Sequence, residues 1–564
     1  MDNQRVFLWA ALAALVWLNY MAFVQYQRPA PAPVETTDSR GVPAVPEDTT
    51  TPALPDASAV PGISADQDIP PPPGLSDTTH AAPRDTIAPA ERRVRISTDV
   101  LEMELSLRGG DLVKALLPRY PVHKNQPDVP VQLLDPSPDN RYILRTGLTS
   151  TTPETSTRPD TLFVAPAMEF RLESGQDVLE VPLTAMLENG VTVTKTYRFR
   201  RGSYAIEVEQ QISNDGESPW TGASYLQLRR LHEPPARSMM NVESYSFRGP
   251  VTFDGEKYDK QNVGDLTRTR LEYTTDSGWL ASIQHHFLAA VVPSGRAQFT
   301  ASASPDSTYT LTAVRMPTAI APGQSGSFSD QLFVGPKLQD QLEATADKLR
   351  LTVDYGWLTI ISQPLFWVLN KIHGVVGNWG WSIILLTILI KAVFYKLSET
   401  SGKSMAKMRK LQPRMKSLQE RYADDRQKLS QAMMELYKKE KVNPAAGCLP
   451  ILVQMPVFLA LYWVLLESVE MRQAPFMLWI TDLSVRDPYF ILPLLMGATM
   501  FIQQKLNPAP PDPMQAKIMQ ILPIVFTVFF AFFPAGLVLY WFVNNLLAIT
   551  QQWHINRVVE RGGY

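Results

Sequence analysis

Trp379 to Leu397, WGWSIILLTILIKAVFYKL, is long and apolar enough to cross a bilayer, yet Lys391 sets an ammonium well inside the hydrophobic run. A lysine at mid-helix costs about 2.5 to 3.5 kcal/mol on insertion scales, so an intramembrane charge marks a functional site unless it can snorkel to the interface. Lys391 lies within two turns of the end marked by Lys396, and this stretch alone leaves both readings open.

The totals frame the question. At 564 residues the chain exceeds one core and calls for several domains. Its 53 basic and 55 acidic residues nearly cancel, so no global field points to nucleic acid. The single cysteine, Cys448, excludes an intrachain disulfide framework and a thiolate zinc cluster. Apolar residues gather at the N-terminus and after residue 355, the layout of a membrane protein with a large polar insertion.

At the start of the chain, residues 1–27 contain the apolar run Val6 to Val24, preceded by Arg5 and flanked by Trp17, Tyr20 and Tyr26 like an interfacial aromatic belt. Its length and the lack of a small-residue cleavage site favour an uncleaved transmembrane anchor over a signal peptide. Residues 28–90, rich in Pro, Ala, Thr, Ser and Asp, cannot bury enough apolar area to offset ordering and read as a disordered tether.

From residue 91 to 350 the period is two. Leu101, Met103, Leu105 and Leu107 alternate with Glu102, Glu104, Ser106 and Arg108 before the turn Gly109-Gly110, and the pattern returns in Val191–Phe199, Tyr204–Glu209 and Tyr309–Ala313. Glu188-Asn189-Gly190 and Asn214-Asp215-Gly216 supply turns. This is a large antiparallel β-sandwich. Its histidines, His123, His232, His285 and His286, lack metal spacing and read as solvated or structural rather than as a carbohydrate site. In 351–373, Trp357, Ile361, Leu365, Val368 and Ile372 recur at helical spacing, predicting an amphipathic helix in the outer membrane interface.

Residues 374–556 read as a transmembrane core. Between Lys396 and Lys441 stand thirteen Lys and Arg against six acids, which assigns the loop 398–442 to the cytoplasm. Met405, Met408, Leu411, Met415, Leu418 and Tyr422, then Leu429, Met433, Leu436 and Tyr437, step by three and four around Asp424-Asp425, where an aspartate can cap the second helix. The resulting hairpin has a methionine-rich seam, with Met434 beside Met433, that either receives varied partners or is filled by its own side chains. Ser401-Gly402-Lys403-Ser404 mimics the end of a phosphate-binding loop, but Leu397 stands where its first glycine belongs and no strand precedes it, which excludes nucleotide binding. Cys448–Leu466, Tyr489–Gln504, Met514–Phe533 and Ala535–Trp553 make four further spans, six in all, with both termini and the short tail 557–564 cytoplasmic.

Placed by depth, Thr387, Lys391, Gln454, Gln503, Gln504, Lys505, Lys517, Gln520, Asn544 and Asn545 all fall in the cytoplasmic half of the five core spans. Ile383, Val464, Leu465, Phe529, Leu537 and Val538 fall in the outer half. Amides facing lipid would be costly, so this bias predicts a shared interior reached by water from the cytoplasm and closed outward by apolar packing. Neither an inverted repeat nor an intramembrane carboxylate supports a transporter, and no His-Glu-x-x-His pair suggests a protease.

The stretches VGNWGWSIILLTILIKAVFY, SMAKMRKLQPRMKSLQERYADDRQKLSQAMMELYKKEKVNP, GCLPILVQMPVFLALYW, VEMRQAPFMLWITDLS, DPMQAKIMQILPIVFTVFF and GLVLYWFVNN resemble, in order, the YidC family of bacterial membrane protein insertases. The anchor, tether and sandwich, with TDVLEMELSLRGGDLVKALLPRYP near its start, resemble the Gram-negative form. The resemblance implies a sandwich similar to galactose mutarotase folds without sugar chemistry. It also implies a client-binding groove of Lys391, Thr387, Gln454, Met455, Gln503, Phe529, Tyr540, Trp541 and Asn544, and a client- or ribosome-contacting hairpin at Met405, Met408, Met415, Met433 and Met434. Lys391 takes the place of the groove's basic residue, and Tyr540-Trp541 that of an aromatic pair. The implied activity is that of an energy-independent insertase and folding chaperone of the inner membrane. It would have no catalytic residues, metal, cofactor, small-molecule substrate or specific nucleic-acid site. Its partners would be nascent inner-membrane proteins, the lipid bilayer, the ribosome and Sec translocon subunits. A structural assembly factor and, beyond it, a transporter or channel are the competing readings.

Overall fold

The period-two segments form two sheets packed face to face. The computed structural model describes residues 92–234, 246–422, 425–440, 449–506 and 513–561, so the expected anchor and tether lie outside the described residues. One sheet of eleven strands runs, in hydrogen-bonded order, Leu271–Thr275, Ala297–Ala303, Thr308–Arg315, Trp220–Leu231, Tyr142–Ser150, Leu112–Pro121, Glu102–Ser106, Arg93–Ser97 and Glu169–Arg171. Thr318–Ile320 and Pro130–Leu134 pair beside it. The other, of eight, runs Tyr258–Lys260, Gly249–Phe253, Trp279–Ile283, Phe287–Val292, Gln324–Pro336, Ala205–Asn214, Val191–Arg200 and Val178–Met186. Pairing is antiparallel except where Arg93–Ser97 meets Glu169–Arg171.

Leu101, Met103, Leu105 and Leu107 point into the core as their alternation requires. Ser106 departs from the outward face. It is buried because its hydroxyl donates to the Arg108 carbonyl at 2.9 Å and accepts from the Arg108 amide at 3.0 Å. That contact leads into the turn in which Gly109 and Gly110 adopt φ of 76° and 64°.

In Val191–Arg200 the inward phase of Val191, Val193, Tyr197 and Phe199 also carries Lys195, which is fully buried. Its ammonium donates to the Thr146 carbonyl of the facing sheet at 2.5 Å and to the Gly109 carbonyl, in the turn between two strands of that sheet, at 3.0 Å, while the Tyr197 hydroxyl donates to Gly110 O at 2.7 Å. Burial lowers the ammonium's pKa to about 8, against the pull of Asp111. A cation thus ties the sheets where a hydrocarbon would leave carbonyls unpaired.

The helices are α1 (Thr359–Val376), α2 (Trp379–Val393), α3 (Tyr395–Arg421), α4 (Arg426–Lys439), α5 (Leu449–Glu467), α6 (Ile491–Leu506), α7 (Pro513–Phe530) and α8 (Ala535–Glu560). Among the described residues no single helix is long and apolar enough to cross a membrane. The bent pair α2 and α3, at 68° to each other, passes by length and composition, and shorter apolar helices lie at Leu452–Glu467 and Lys517–Phe530.

Three expectations are corrected. The run Trp379–Leu397 is not one straight helix but breaks at Phe394, where apolar sequence gives way to the charged repeat opened by the Glu399–Lys403 pair at 2.9 Å. The amphipathic helix begins at Thr359 rather than near Tyr355, because Tyr355 is buried with its hydroxyl accepting from Gln339 Nε2 at 2.6 Å and 3.4 Å from Ser468 Oγ. Trp357, grouped by its spacing with the apolar residues of that helix, lies before it and points outward. Finally α8 continues to Glu560, into the expected tail 557–564, because Ile555 packs on Ala406.

Helix α8 packs on α2 and α6, α6 on α7, and α1 on both α2 and α5. At the α6–α7 contact a Cβ on Gly497 would collide with the Thr527 hydroxyl, so glycine sets how closely these helices approach. From Lys410 onward the helical hairpin is a separate unit. Within it Met415 is buried with the Tyr437 hydroxyl 4.0 Å from its sulfur, Arg414 pairs with Glu440 at 2.7 Å, and Asp425 caps α4 by accepting from Lys428 N at 3.0 Å.

The segment after α5 is seated in the sandwich. Glu467 is only 3% exposed, and its carboxylate accepts from Ser246 Oγ at 2.9 Å and lies 3.9 Å from His285 Nε2. His285 also lies 3.0 Å from the Leu466 carbonyl and stacks on His286 at 3.7 Å. Burial, reinforced by Lys337, lowers the His285 pKa to about 3, so it is neutral there. Arg472 donates to the Pro121 and Val122 carbonyls at 2.8 and 3.1 Å, and Gln473 Nε2 to Pro121 O at 2.9 Å. Helix α5 thus ends in a buried polar joint with the sandwich.

Candidate functional site

Six of the ten polar residues expected in the cytoplasmic half of the core, Lys391, Gln454, Gln503, Gln504, Asn544 and Asn545, line one cavity of about 290 Å³, and Thr387, Lys505, Lys517 and Gln520 do not. Lys391 of α2, Gln454 and Met455 of α5, Gln503 of α6, and Tyr540, Trp541 and Asn544 of α8 line it. Two residues of the expected groove set do not. Thr387 is buried with its hydroxyl donating to the Ile383 carbonyl at 2.6 Å, satisfied within its own helix turn. Phe529 lies outside, exposed and stacked on Phe533 at 4.7 Å.

The lining also includes residues outside the expected groove set: Phe458, Met500, Gln504, Met519, Pro523 and Asn545. Gln504 and Asn545 carry a signal in their amides and their depth. The apolar members carry none, because one helical face of a transmembrane segment reads like another.

Lys391 is the only charged residue among the described lining residues, and no carboxylate stands with it. Three polar atoms of the lining, Gln504 Oε1, Trp541 Nε1 and Asn545 Nδ2, are buried without a hydrogen-bond partner among the described residues. Each such group costs roughly 1 to 3 kcal/mol until something meets it, so the wall is primed for a ligand rich in hydrogen-bonding groups. Prolines add to this. Pro523 in α7 brings no N–H, leaving the carbonyl one turn earlier, at the lining residue Met519, without its usual helical donor, and Pro456 does the same at Leu452, outside the lining.

At its other end the cavity closes in aromatic packing. Trp541 meets Phe458 edge to face at 4.5 Å and Phe530 at 5.1 Å, and Tyr462 meets Phe533 at 6.1 Å. Beyond them Ile383, Val464, Leu465, Leu537 and Val538 are buried. The chamber is polar at one end and sealed by hydrocarbon at the other, with a single fixed positive charge on its wall.

On the hairpin, Met405, Met408 and Met433 are part-buried, Met415 is buried, and Met434 is exposed. The seam is filled by its own side chains at Met415, and Met434 remains open to solvent.

Comparison with known proteins gives consistent matches. The family profile described as 60Kd inner membrane protein matches residues 371–561, and that described as YidC periplasmic domain matches residues 93–368. The membrane protein insertase YidC of Thioalkalivibrio sulfidiphilus is 49% identical over 584 residues, covering 100% of both chains. That of Nitrosococcus oceani is 46% identical over 571 residues, again covering 100% of both. Among solved structures, an active YidC insertase with its first transmembrane domain resolved aligns with 82% of this chain and 92% of its own at 16% identity. The TM-score is 0.36, too low for detail to transfer.

Proposed function

The chain belongs to the YidC family of membrane protein insertases, and from that premise we propose that its cavity is the groove in which clients begin their passage. It is an inner-membrane protein with a periplasmic β-rich domain, and its clients are nascent membrane proteins handed to lipid. Lys391 attracts an acidic or polar tail of the client into the cytoplasmic half of the bilayer, where one charge counts for more than in water. The unpartnered amides of Gln504 and Asn545 and the proline-freed carbonyl of Met519 replace water around the client's backbone, lowering the cost of its descent. The tail then has only the outer leaflet to cross. Its apolar segment leaves along α5 and α7, whose Leu452, Ile521, Ile524, Val525 and Val528 are exposed, and hydrophobic burial in lipid drives the step without a nucleotide.

The same reading sets six spans, both termini in the cytoplasm, and α1 on the outer membrane surface. Met405, Met408, Met433 and Met434 contact clients before the groove does, and the bases of α3 and α4 provide an electrostatic approach to the ribosome. Sec translocon subunits are partners on the membrane side.

The observation that carries this proposal is the pairing of a lone buried-wall cation with unpartnered amides beneath an aromatic roof. Photocrosslinkers at Gln454 and Met455 should trap the polar tail of a ribosome-stalled client, and crosslinkers at Phe529 should not. Crosslinking at Phe529 with none at Gln454 would place the path outside the groove. Purified protein in liposomes should also insert a small two-span client unaided, which a scaffold would not do.

A further inference from the structure

A second cavity, of about 420 Å³, lies where the strand Tyr258–Lys260 meets the segment leading into α1. Its volume falls in the range of small-molecule pockets, roughly 300 to 1,000 Å³. Its wall carries both signs of charge. Lys260 forms an ion pair with Asp354, and Asp259 stands beside it. One neutral donor completes the set, the Tyr258 hydroxyl, which is buried without a partner among the described residues, whereas the Thr359 hydroxyl already donates to the Gly356 carbonyl at 2.6 Å. Asp259 also binds Lys257 at 2.7 Å, which keeps its carboxylate at the mouth.

The rim is unlike the wall. Gly356, at φ 61°, turns the chain so that Trp357, 79% exposed, stands next to the opening, and Ile360, 86% exposed, comes next. Ile360, Trp367 and Val375 continue as one outward stripe of α1, and Lys371 lies 6.0 Å above the Trp367 ring. An aromatic–aliphatic stripe edged by a lysine is the pattern of a helix half-sunk among acyl chains. A polar pocket carrying one ammonium and two carboxylates therefore opens at headgroup depth, with greasy side chains around its mouth.

We infer that this cavity binds the headgroup of a zwitterionic phospholipid with a primary ammonium. The phosphate is held by Lys260 with the Tyr258 hydroxyl, the ammonium by Asp354 and Asp259, and the acyl chains lie against Trp357 and Ile360. Binding exchanges the internal Lys260–Asp354 pair for two pairs to the ligand. Among the described lining residues an anionic headgroup meets two carboxylates and one lysine, Lys257 being already paired with Asp259, and a quaternary ammonium lacks the N–H donors that the carboxylates accept. The inference rests on α1 lying at the outer surface, as proposed above, and not on the groove.

Full-length protein in nanodiscs of mixed phosphatidylethanolamine, phosphatidylglycerol and phosphatidylcholine, released for native mass spectrometry, tests it. Preferential retention of phosphatidylethanolamine is expected, falling at least tenfold in Asp354→Asn and several-fold in Tyr258→Phe. The second variant leaves the ion pair intact and guards against misfolding. Equal retention of phosphatidylethanolamine and phosphatidylglycerol, or retention unchanged in both variants, would overturn the inference. Displacement of the lipid by millimolar free phosphoethanolamine would also count against a lipid site, because the apolar rim would then contribute nothing. Insertion of an acid-tailed client, measured on the same samples, reports on the groove separately.

Discussion

Reversing the charge on the groove wall should separate clients by the charge of their tails. In Lys391→Glu the only charged lining residue changes sign, while the amides and aromatic roof stay in place. A client carboxylate at about 6 Å from the ammonium, in a half-wet site of effective dielectric roughly 20 to 40, gains about 1.4 to 2.8 kcal/mol. Reversal turns that gain into a similar loss, so the two proteins differ by about 3 to 5.5 kcal/mol, at least a hundredfold in groove occupancy. Lys391→Gln should fall midway. Lys391→Arg should match the parent, since a single charge does not need a planar fork. The assay is protease protection of a two-span client inserted into liposomes holding the purified protein, run with one, two or no acids in the translocated tail. The tail without acids should insert almost equally well with every variant. If acid-tailed clients insert at the same rate with lysine, arginine and glutamate, the wall charge has no part in insertion and the electrostatic account fails.

Two further perturbations test the scaffold. Gly497→Val should force α6 from α7 at Thr527, costing about 1 to 3 kcal/mol and lowering the thermal unfolding temperature, whereas a stability equal to the parent would show that the contact can relax. Glu470 is half-buried, with one carboxylate oxygen unpartnered, and burial with Asp340 nearby raises its pKa from 4.5 to about 7. The folded state therefore holds this proton more tightly than the unfolded chain, and stability falls as pH rises from about 4.5 to 7. Glu470→Gln should remove that slope and gain roughly 3 kcal/mol over the parent at about pH 8 but almost nothing at about pH 4.5, read as a pH-dependent difference in unfolding temperature.

Much of this architecture is written locally. Alternation at Leu101–Leu107 and Val191–Phe199 marks strands because their neighbours across the sheet share the same period, and the amides of Gln454, Gln503 and Asn544 mark the cavity they line because amides avoid lipid. The features that stay hidden depend on neighbours distant in sequence. Lys195 occupies an inward phase of its strand, but only the Gly109 and Thr146 carbonyls opposite make a buried ammonium acceptable there. Glu467 reads as the polar end of a span, and nothing in its own segment announces Ser246 or His285. Thr387 joins the expected groove by its depth and by the family resemblance, though its hydroxyl spends its hydrogen on Ile383. Trp357 matches a periodic stripe that starts only after the chain has turned at Gly356.

One end of α5 carries Gln454 and Met455 in the wall of the cavity, and the other is pinned through Glu467 into the sandwich. Sliding that helix along the membrane normal would drag a carboxylate out of its partners, at a penalty of several kcal/mol. It behaves as a gatepost set in concrete at the Glu467 end. Any widening to admit a bulkier tail must come from a swing of the lower half, with the outer seal left undisturbed.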